Sequence, residues 1–272
     1  MNRRTTICAC AAAAVLSAAA YLAFENNALM LTEYEYRDDS VSAELDGFKI
    51  VHLSDVHGKR FGKGNSRLIK LVSEQSPDII VISGDLVDSR HPDPEAAYEL
   101  VGGLTPIAPV YYVTGNHEER LPRELYISVM ENLSSLGAHI LDGNAETVTV
   151  GGSEVNIAGF KDSRYFTVSE AKELVLSGAF NILINHRPQY AAGYAEAGFD
   201  LAFSGHAHGG QIRLPFIGGV IAPDQYLFPK YYEGVHRFAG GATVISRGLG
   251  NSLLPLRVNN RPEAVSVTLR KG

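Results

Sequence analysis

Five short apolar runs, each stopping at a residue able to ligate a metal ion, constrain this chain more than any other feature. Phe48-Lys49-Ile50-Val51-His52-Leu53-Ser54 runs into Asp55, and Asp78-Ile79-Ile80-Val81-Ile82-Ser83-Gly84 runs into Asp85. Val110-Tyr111-Tyr112-Val113-Thr114-Gly115 delivers Asn116 and His117. Phe180-Asn181-Ile182-Leu183-Ile184-Asn185 precedes His186, and Phe199-Asp200-Leu201-Ala202-Phe203-Ser204-Gly205 precedes His206. All five read as buried strands. Between them lie helix-like stretches: residues 66–75 with Leu68, Ile69, Leu71 and Val72 on one face, a segment around Pro94 to Leu100, and residues 122–136 followed by Gly137. Proline at a helix start and glycine after its end agree with those boundaries. Strand alternating with helix implies parallel neighbours in a layered α/β fold. Parallel strands set their C-terminal ends along one edge of the sheet, where such folds bind ligands, so the five polar stops are expected to converge. Residues 140–160 and 241–269 alternate without helices and are expected to add antiparallel strands or a second sheet.

Composition narrows the partners. With 30 Asp plus Glu against 24 Lys plus Arg and no clustered basic run, the chain is a poor match for a nucleic acid. Its two cysteines, Cys8 and Cys10, fall in the first ten residues, which leaves the rest without disulfides, thiolate catalysis or a zinc-thiolate site. Residues 26–272 contain no linker, repeat or low-complexity tract and read as one domain. Residues 1–25 are a separate object: Arg3 and Arg4 precede the uncharged, alanine-rich run Ile7 to Phe24, closed by Glu25. At ~1.5 Å per residue that run spans about 27 Å as a helix, enough for a bilayer core. It reads as a membrane anchor or an export signal. Ala18-Ala19-Ala20 offers a signal peptidase small residues, and cleavage there would give a secreted protein. Continuation of the run through Phe24 favours the anchor. The arginine pair puts the N-terminal flank in the cytoplasm and everything after Glu25 outside it.

The polar stops can be read chemically. Asp55, His57, Asp85, Asn116, His186, His206 and His208 make seven candidate ligands, more than one ion needs after leaving room for water and substrate. Two divalent ions fit better, with Asp85 able to bridge them, and sulfur-free N/O ligation suits Mn, Fe or Zn. Two ions roughly 3.5–4 Å apart clamp a phosphoryl oxygen and stabilise both ends of an in-line displacement, which points to hydrolysis of a phosphate ester. His117, on the same turn as Asn116, is the imidazole left to protonate the leaving group. Arg187 and Arg247 are candidates for gripping a substrate phosphate bidentately. His52, His91, His139 and His236 read as structural. Asp88, Asp93, Glu118 and Glu119 read as solvated or helix-start carboxylates. Tyr226, Phe228, Tyr231 and Tyr232 are expected to be packing residues rather than a loop over the site or a lipid-facing lip.

Taken in order, Asp55-Val56-His57-Gly58, Gly84-Asp85, Gly115-Asn116-His117-Glu118, His186 and Gly205-His206-Ala207-His208 resemble the full motif set of the calcineurin-like metallophosphoesterases. The similarity covers about residues 46–272. Gly209-Gly210-Gln211 and Ser246-Arg247-Gly248-Leu249-Gly250 resemble the membrane-associated bacterial phosphodiesterase branch. The resemblance implies a four-layer αββα sandwich with a two-metal site at the C-terminal ends of the strands. It implies Asp55, His57 and His208 on the first ion, Asn116, His186 and His206 on the second, Asp85 between them and His117 as the acid. It implies a hydrolase of phosphoester bonds, a phosphodiesterase or pyrophosphatase acting at the membrane or cell envelope, with a lipid or envelope phosphodiester among its substrates. Alternatives of other classes are a phosphomonoesterase and a noncatalytic, metal-stabilised module at the membrane; the intact ligand set favours the enzyme.

Overall fold

The computed structural model describes residues 3–162, 165–251 and 255–272, apart from the side chains of residues 3–5 and 9, so the arginine pair at 3 and 4 lies outside the described side chains. Two six-stranded sheets lie face to face. The first runs in the order Met30–Asp38, Glu263–Lys271, Lys49–Leu53, Ile79–Ile82, Val110–Tyr112, Ala138–Ile140. The second runs Gly234–Phe238, Gly241–Ile245, Leu201–Ser204, Phe180–Ile184, Ser153–Gly159, Asn144–Val150.

Strand periodicity explains the layering. Successive side chains leave a strand on opposite faces. Val51 and Leu53, Ile80 and Ile82, and Val110 and Tyr112 therefore face outward, into a core shared with helices Ser66–Ser73, Pro94–Leu104 and Arg123–Ser135. Ile50, Val81, Tyr111 and Val113 face inward and meet Ile157, Ile182, Phe203 and Val244 of the other sheet. Leu183 and Ala202, on the far face of the second sheet, pack with Tyr194, Phe199 and Ala171 under the helices Val168–Lys172 and Ala191–Ala197. The order is helix, sheet, sheet, helix. Strands covered on both faces are why the five runs are apolar without interruption rather than alternating.

The expectation of a single sheet edge needs correcting. Lys49–Leu53, Ile79–Ile82 and Val110–Tyr112 are parallel neighbours in the first sheet, whereas Phe180–Ile184 and Leu201–Ser204 are parallel neighbours in the second. The polar stops thus come from two stacked sheets. Residues 140–160 do supply an antiparallel pair, Asn144–Val150 with Ser153–Gly159. Residues 241–269 divide: Gly241–Ile245 pairs parallel with Leu201–Ser204, and Glu263–Lys271 pairs antiparallel with Lys49–Leu53, returning the chain to the first sheet.

Arg3–Asn27 is one helix, and its segment Thr6–Asn27 is long and apolar enough to cross a membrane, with none of its most apolar stretch buried against the rest of the chain. Among the described residues, its last turns make the contacts with the domain. Glu25 Oε2 accepts from Asn260 N at 2.7 Å, Asn26 Oδ1 accepts from Arg257 N at 3.2 Å, and Tyr21 Oη donates to Asn259 Oδ1 at 2.6 Å.

Phe203 is fully buried between the sheets and meets the His52 ring edge-on, with centroids 5.1 Å apart. Replacing it by alanine opens a cavity in the central layer, and Phe203→Ala is expected to cost about 3–5 kcal/mol, read from denaturant unfolding of the two proteins.

Candidate metal centre

Each run ends in a short turn that lifts its last polar residue clear of the sheet. The turns are welded together by backbone hydrogen bonds: Asp55 N donates to Gly84 O at 3.0 Å, His57 N to Asp85 O at 2.9 Å, and Gly205 N to His186 O at 3.1 Å. Little room is left. A methyl group on Gly115 would lie 2.2 Å from Asp85 Oδ1, and one on Gly205 would lie 1.8 Å from Ser54 Oγ. Asp55, His57, Asp85, His206 and His208 all have φ between 48° and 66°, the left-handed region that L side chains rarely adopt. Each such residue costs about 1–3 kcal/mol, so the surrounding packing holds a geometry the local chain does not prefer.

These turns bring the seven expected residues together. Donor atoms of Asp55, His57 and His208 form one cluster, and those of Asp85, His186 and His206 another, with the atoms of each cluster within 4.8 Å of one another. Asp85 Oδ2 stands between them, 3.5 Å from His57 Nε2 and 3.4 Å from His186 Nε2. His57 Nε2 approaches His208 Nε2 to 3.3 Å, and His206 Nδ1 approaches His186 Nε2 to 3.1 Å. The Asn116 amide lies 2.8 Å from His206 Nδ1 and 3.1 Å from Arg120 Nη1. With its nitrogen toward the ring it donates to Nδ1; turned over, its oxygen and Nδ1 aim two lone pairs at one place, as two ligands of one cation do.

Electrostatics support the same reading of the donor set. Burial holds His57 and His206 below the usual imidazole range and pushes His208 down to about 3, leaving neutral rings with lone pairs to offer. Burial also works against charge on His186, but Asp85, followed by Asp55, raises it to about 10. Burial would raise Asp85; the His186 and His57 rings hold it well below the usual carboxylate range instead. His186 Nδ1 donates to Ser83 O at 2.8 Å, which turns Nε2 toward Asp85. A dry, closely packed set of oxygens and imidazole nitrogens fits divalent cations, whose charge would offset the mutual repulsion of its lone pairs.

His117 sits beside this cluster, its ring 4.5 Å from that of His57, and lines one pocket with Asp85, Asn116, Arg120, His206 and Asp224. Its Nδ1 lies 3.1 Å from the Ser89 amide and 3.1 Å from Asp88 Oδ1. The Ser89 amide and the Asp88 carboxylate thus meet the same ring nitrogen and fix the orientation of the ring.

A comparison with family models matches residues 48–210 to the calcineurin-like phosphoesterases. The chain belongs to this family. It is 30% identical over 255 residues to the uncharacterised metallophosphoesterase YkuE of Bacillus subtilis, covering 90% of this chain and 87% of that one. It is 30% identical over 227 residues to the phosphodiesterase YaeI of Escherichia coli, covering 82% of each. A zebrafish (Danio rerio) transmembrane protein with a metallophosphoesterase domain is 28% identical over 89% of this chain and 57% of its own length. Like its family, this protein is a metal-dependent phosphoester hydrolase.

Two carboxylates depart from the expectation of solvated or helix-start positions. Glu118, expected to be solvated, is fully buried and accepts from the backbone amides of Asp85, Val87 and Gly115 at 2.9, 2.8 and 2.8 Å. Burial, then the charge of Asp85, pushes it up to about 8 against the pull of the Val87 and Gly115 amides. Asp88 is also buried, and hydrogen bonds from Arg90, aided by His117, bring it to about 2 against the effect of burial. Asp93, at the start of helix Pro94–Leu104, and the exposed Glu119 sit as expected. The two arginines are already engaged. Arg187 is buried, forks onto Asp162 with bonds of 2.6 and 2.7 Å, and also reaches Asp224, whose Oδ2 is 3.0 Å from His206 Nε2. Arg247 pairs with Glu233 and Glu263. The guanidinium lining the pocket is that of Arg120, which the sequence reading passed over although it follows His117 by three residues. Asp162 and Asp224 carried no local signal at all.

Glutamine at 118 would turn an amide N–H toward backbone donors that now share one carboxylate. Glu118→Gln is expected to lose about 1–3 kcal/mol of stability by denaturant unfolding and to retain less metal by elemental analysis.

Proposed function

We propose that this protein is a two-metal phosphodiesterase whose domain, residues 26–272, is held at the outer face of a membrane by residues 1–25. The observation that carries the reading is the position of Asp85 Oδ2, within 3.5 Å of an imidazole from each of two ligand clusters. Asp55, His57 and His208 would hold one cation and Asn116, His186 and His206 the other, with Asp85 placed between the two groups. The oxygen and nitrogen donors suit Mn, Fe or Zn. When bound, such a pair supplies Lewis acidity that polarises a phosphoryl group and acidifies water.

The chain's own groups do the rest. His117, with its Nδ1–H held by Asp88, delivers the Nε2 proton of its charged ring to the departing oxygen of the ester and is left neutral with its remaining proton on Nδ1. Asp88 is a positioning residue, steadying the ring in whichever charge state it passes through. Arg120 meets the phosphoryl oxygens at the pocket, in the role the sequence suggests for Arg187 and Arg247. Arg187 instead steadies Asp224 and, through it, His206, as carboxylates commonly do for ligand histidines. Diester preference is supported by the similarity to the phosphodiesterase YaeI.

The deciding assay is hydrolysis of bis(p-nitrophenyl) phosphate and p-nitrophenyl phosphate by the full chain, with chelator and after reloading with Mn, Fe or Zn. Metal-dependent cleavage favouring the diester is expected; bound metal without cleavage of either would mean a noncatalytic module. His117→Ala is expected to lower kcat by about 10²–10⁴ with metal content unchanged, and full activity in that variant would remove the acid role.

Cation binding must displace the proton that His186 keeps up to about pH 10 in the metal-free protein. Apparent affinity should therefore rise with pH, about tenfold per unit for one released proton, across roughly pH 6 to 8, in competition against a chelator.

A further inference from the structure

We infer that the segment Leu214–Phe228 is a lip that enters the same bilayer as the N-terminal helix and sets the mouth of the metal centre at lipid headgroup level; this rests on the membrane-anchored reading above. Outside the helix Arg3–Asn27, the exposed large apolar side chains among the described residues concentrate here, on Leu214, Phe216, Ile217, Tyr226, Leu227 and Phe228 among others. Tyr226 is 83% exposed and Phe228 63%, so the expectation that these two are packing residues fails, whereas Tyr231 and Tyr232 do pack beneath the segment. Phe216, Tyr226 and Phe228 also have φ of 66°, 58° and 55°, a backbone that holds each ring outward at a cost of its own. A contiguous apolar patch of this kind marks an interaction surface.

Continuity with the helix identifies what covers it. Asn259 accepts from Tyr21 of the helix at 2.6 Å and donates to Arg213 O at 3.0 Å, and Arg213 N donates to Val258 O at 3.0 Å. Asn259, Leu214 and Phe216 line one surface cavity. The run Ile7–Phe24 is about as long as a bilayer core is thick, which puts Tyr21 at the interfacial level that tyrosines favour. One residue therefore joins the end of the membrane helix to the start of the lip.

At its base the lip is part of the metal centre. Gly219 packs backbone to backbone on Gly210, two residues after His208, where a methyl group on Gly210 would lie 2.3 Å from Gly219 Cα. Val220 N donates to Gly210 O at 3.2 Å. Asp224, between the exposed aromatics, contacts His206 and lines the pocket with Pro223. A phosphoester reaching this pocket from the bilayer side is one carried by an amphiphile with acyl chains in the leaflet. The substrate class is thus a lipid phosphoester cleaved at the headgroup.

The chain has no tryptophan, which makes the test direct. Phe216→Trp, Phe228→Trp and the remote reference Ile127→Trp are each made in the full chain and reconstituted into phosphatidylcholine vesicles with and without brominated phosphatidylcholine. Blue-shifted emission at 216 and 228 that brominated lipid quenches, with 127 unquenched, is expected. Four results would overturn the lip. Water-like, unquenched indoles in protein that floats with the vesicles would do so while leaving the anchor intact. Blue-shifted but unquenched indoles would mean that protein, such as a second copy, covers the segment. Equal quenching at 127 would mean unspecific adsorption. Failure to float would overturn the lip and the anchor together, and the assay with soluble diester reports on the hydrolase reading independently of all four.

Discussion

A carboxylate buried among imidazoles is the constraint on which the rest of this protein depends. Asp85 is nearly inaccessible to water, sits between His57 and His186, and accepts a hydrogen bond from His117 N at 2.9 Å. Charge in so dry a place is sustained only by opposite charge and directed donors. Its neighbours answer that demand: His186 carries a proton when no cation is bound, and Asp85 and Glu118 divide the nearby backbone amides. Divalent cations bound among these donors would satisfy the same demand. The left-handed conformations of five of the metal-centre residues and the methyl-excluding glycines at 115 and 205 follow from crowding so many donors into one place.

Support behind the donors is as specific as the donors themselves. His206 is backed by Asp224, which is backed by Arg187, which is forked by Asp162. Asp55 is backed by Ser54 at 2.6 Å, which takes a bond from Ser83 at 2.9 Å, which meets His52 at 2.7 Å. His52 is a structural histidine, as expected, but the structure it serves is the orientation of a metal-centre carboxylate. Burial pushes it down to about 3, so it performs that task as a neutral ring.

The N-terminal helix and the candidate metal centre are joined by a short stretch of chain rather than by a flexible tether. Residues 257–261 receive the end of the helix, and Arg257 is fully buried among the carbonyls of Arg247, Gly250 and Asn260. Asn260 in turn donates to His208 O at 2.7 Å. The orientation of the domain on its helix is therefore fixed by the loop that also holds a metal-centre histidine.

Much of the centre was legible in the chain because its determinants are local. A run apolar on both faces specifies a covered strand, a strand end specifies where its next residue points, and Asp, His and Asn at five such ends specify a metal-binding chemistry. The same logic could not see Glu118, whose carboxylate is held by the amides of Asp85 and Val87 on one turn and of Gly115 on another, nor assign Arg187, whose partners Asp162 and Asp224 are distant in sequence. It also placed the strand ends on one sheet, because pairing partners are chosen by packing between sheets and not by any single run. The sequence by itself determined which elements form and which side chains can bind metal. Only the tertiary structure decided which sheet each strand joins, which charges neutralise one another, and which apolar residues are left facing outward, since each depends on groups that meet only after the chain has closed on itself.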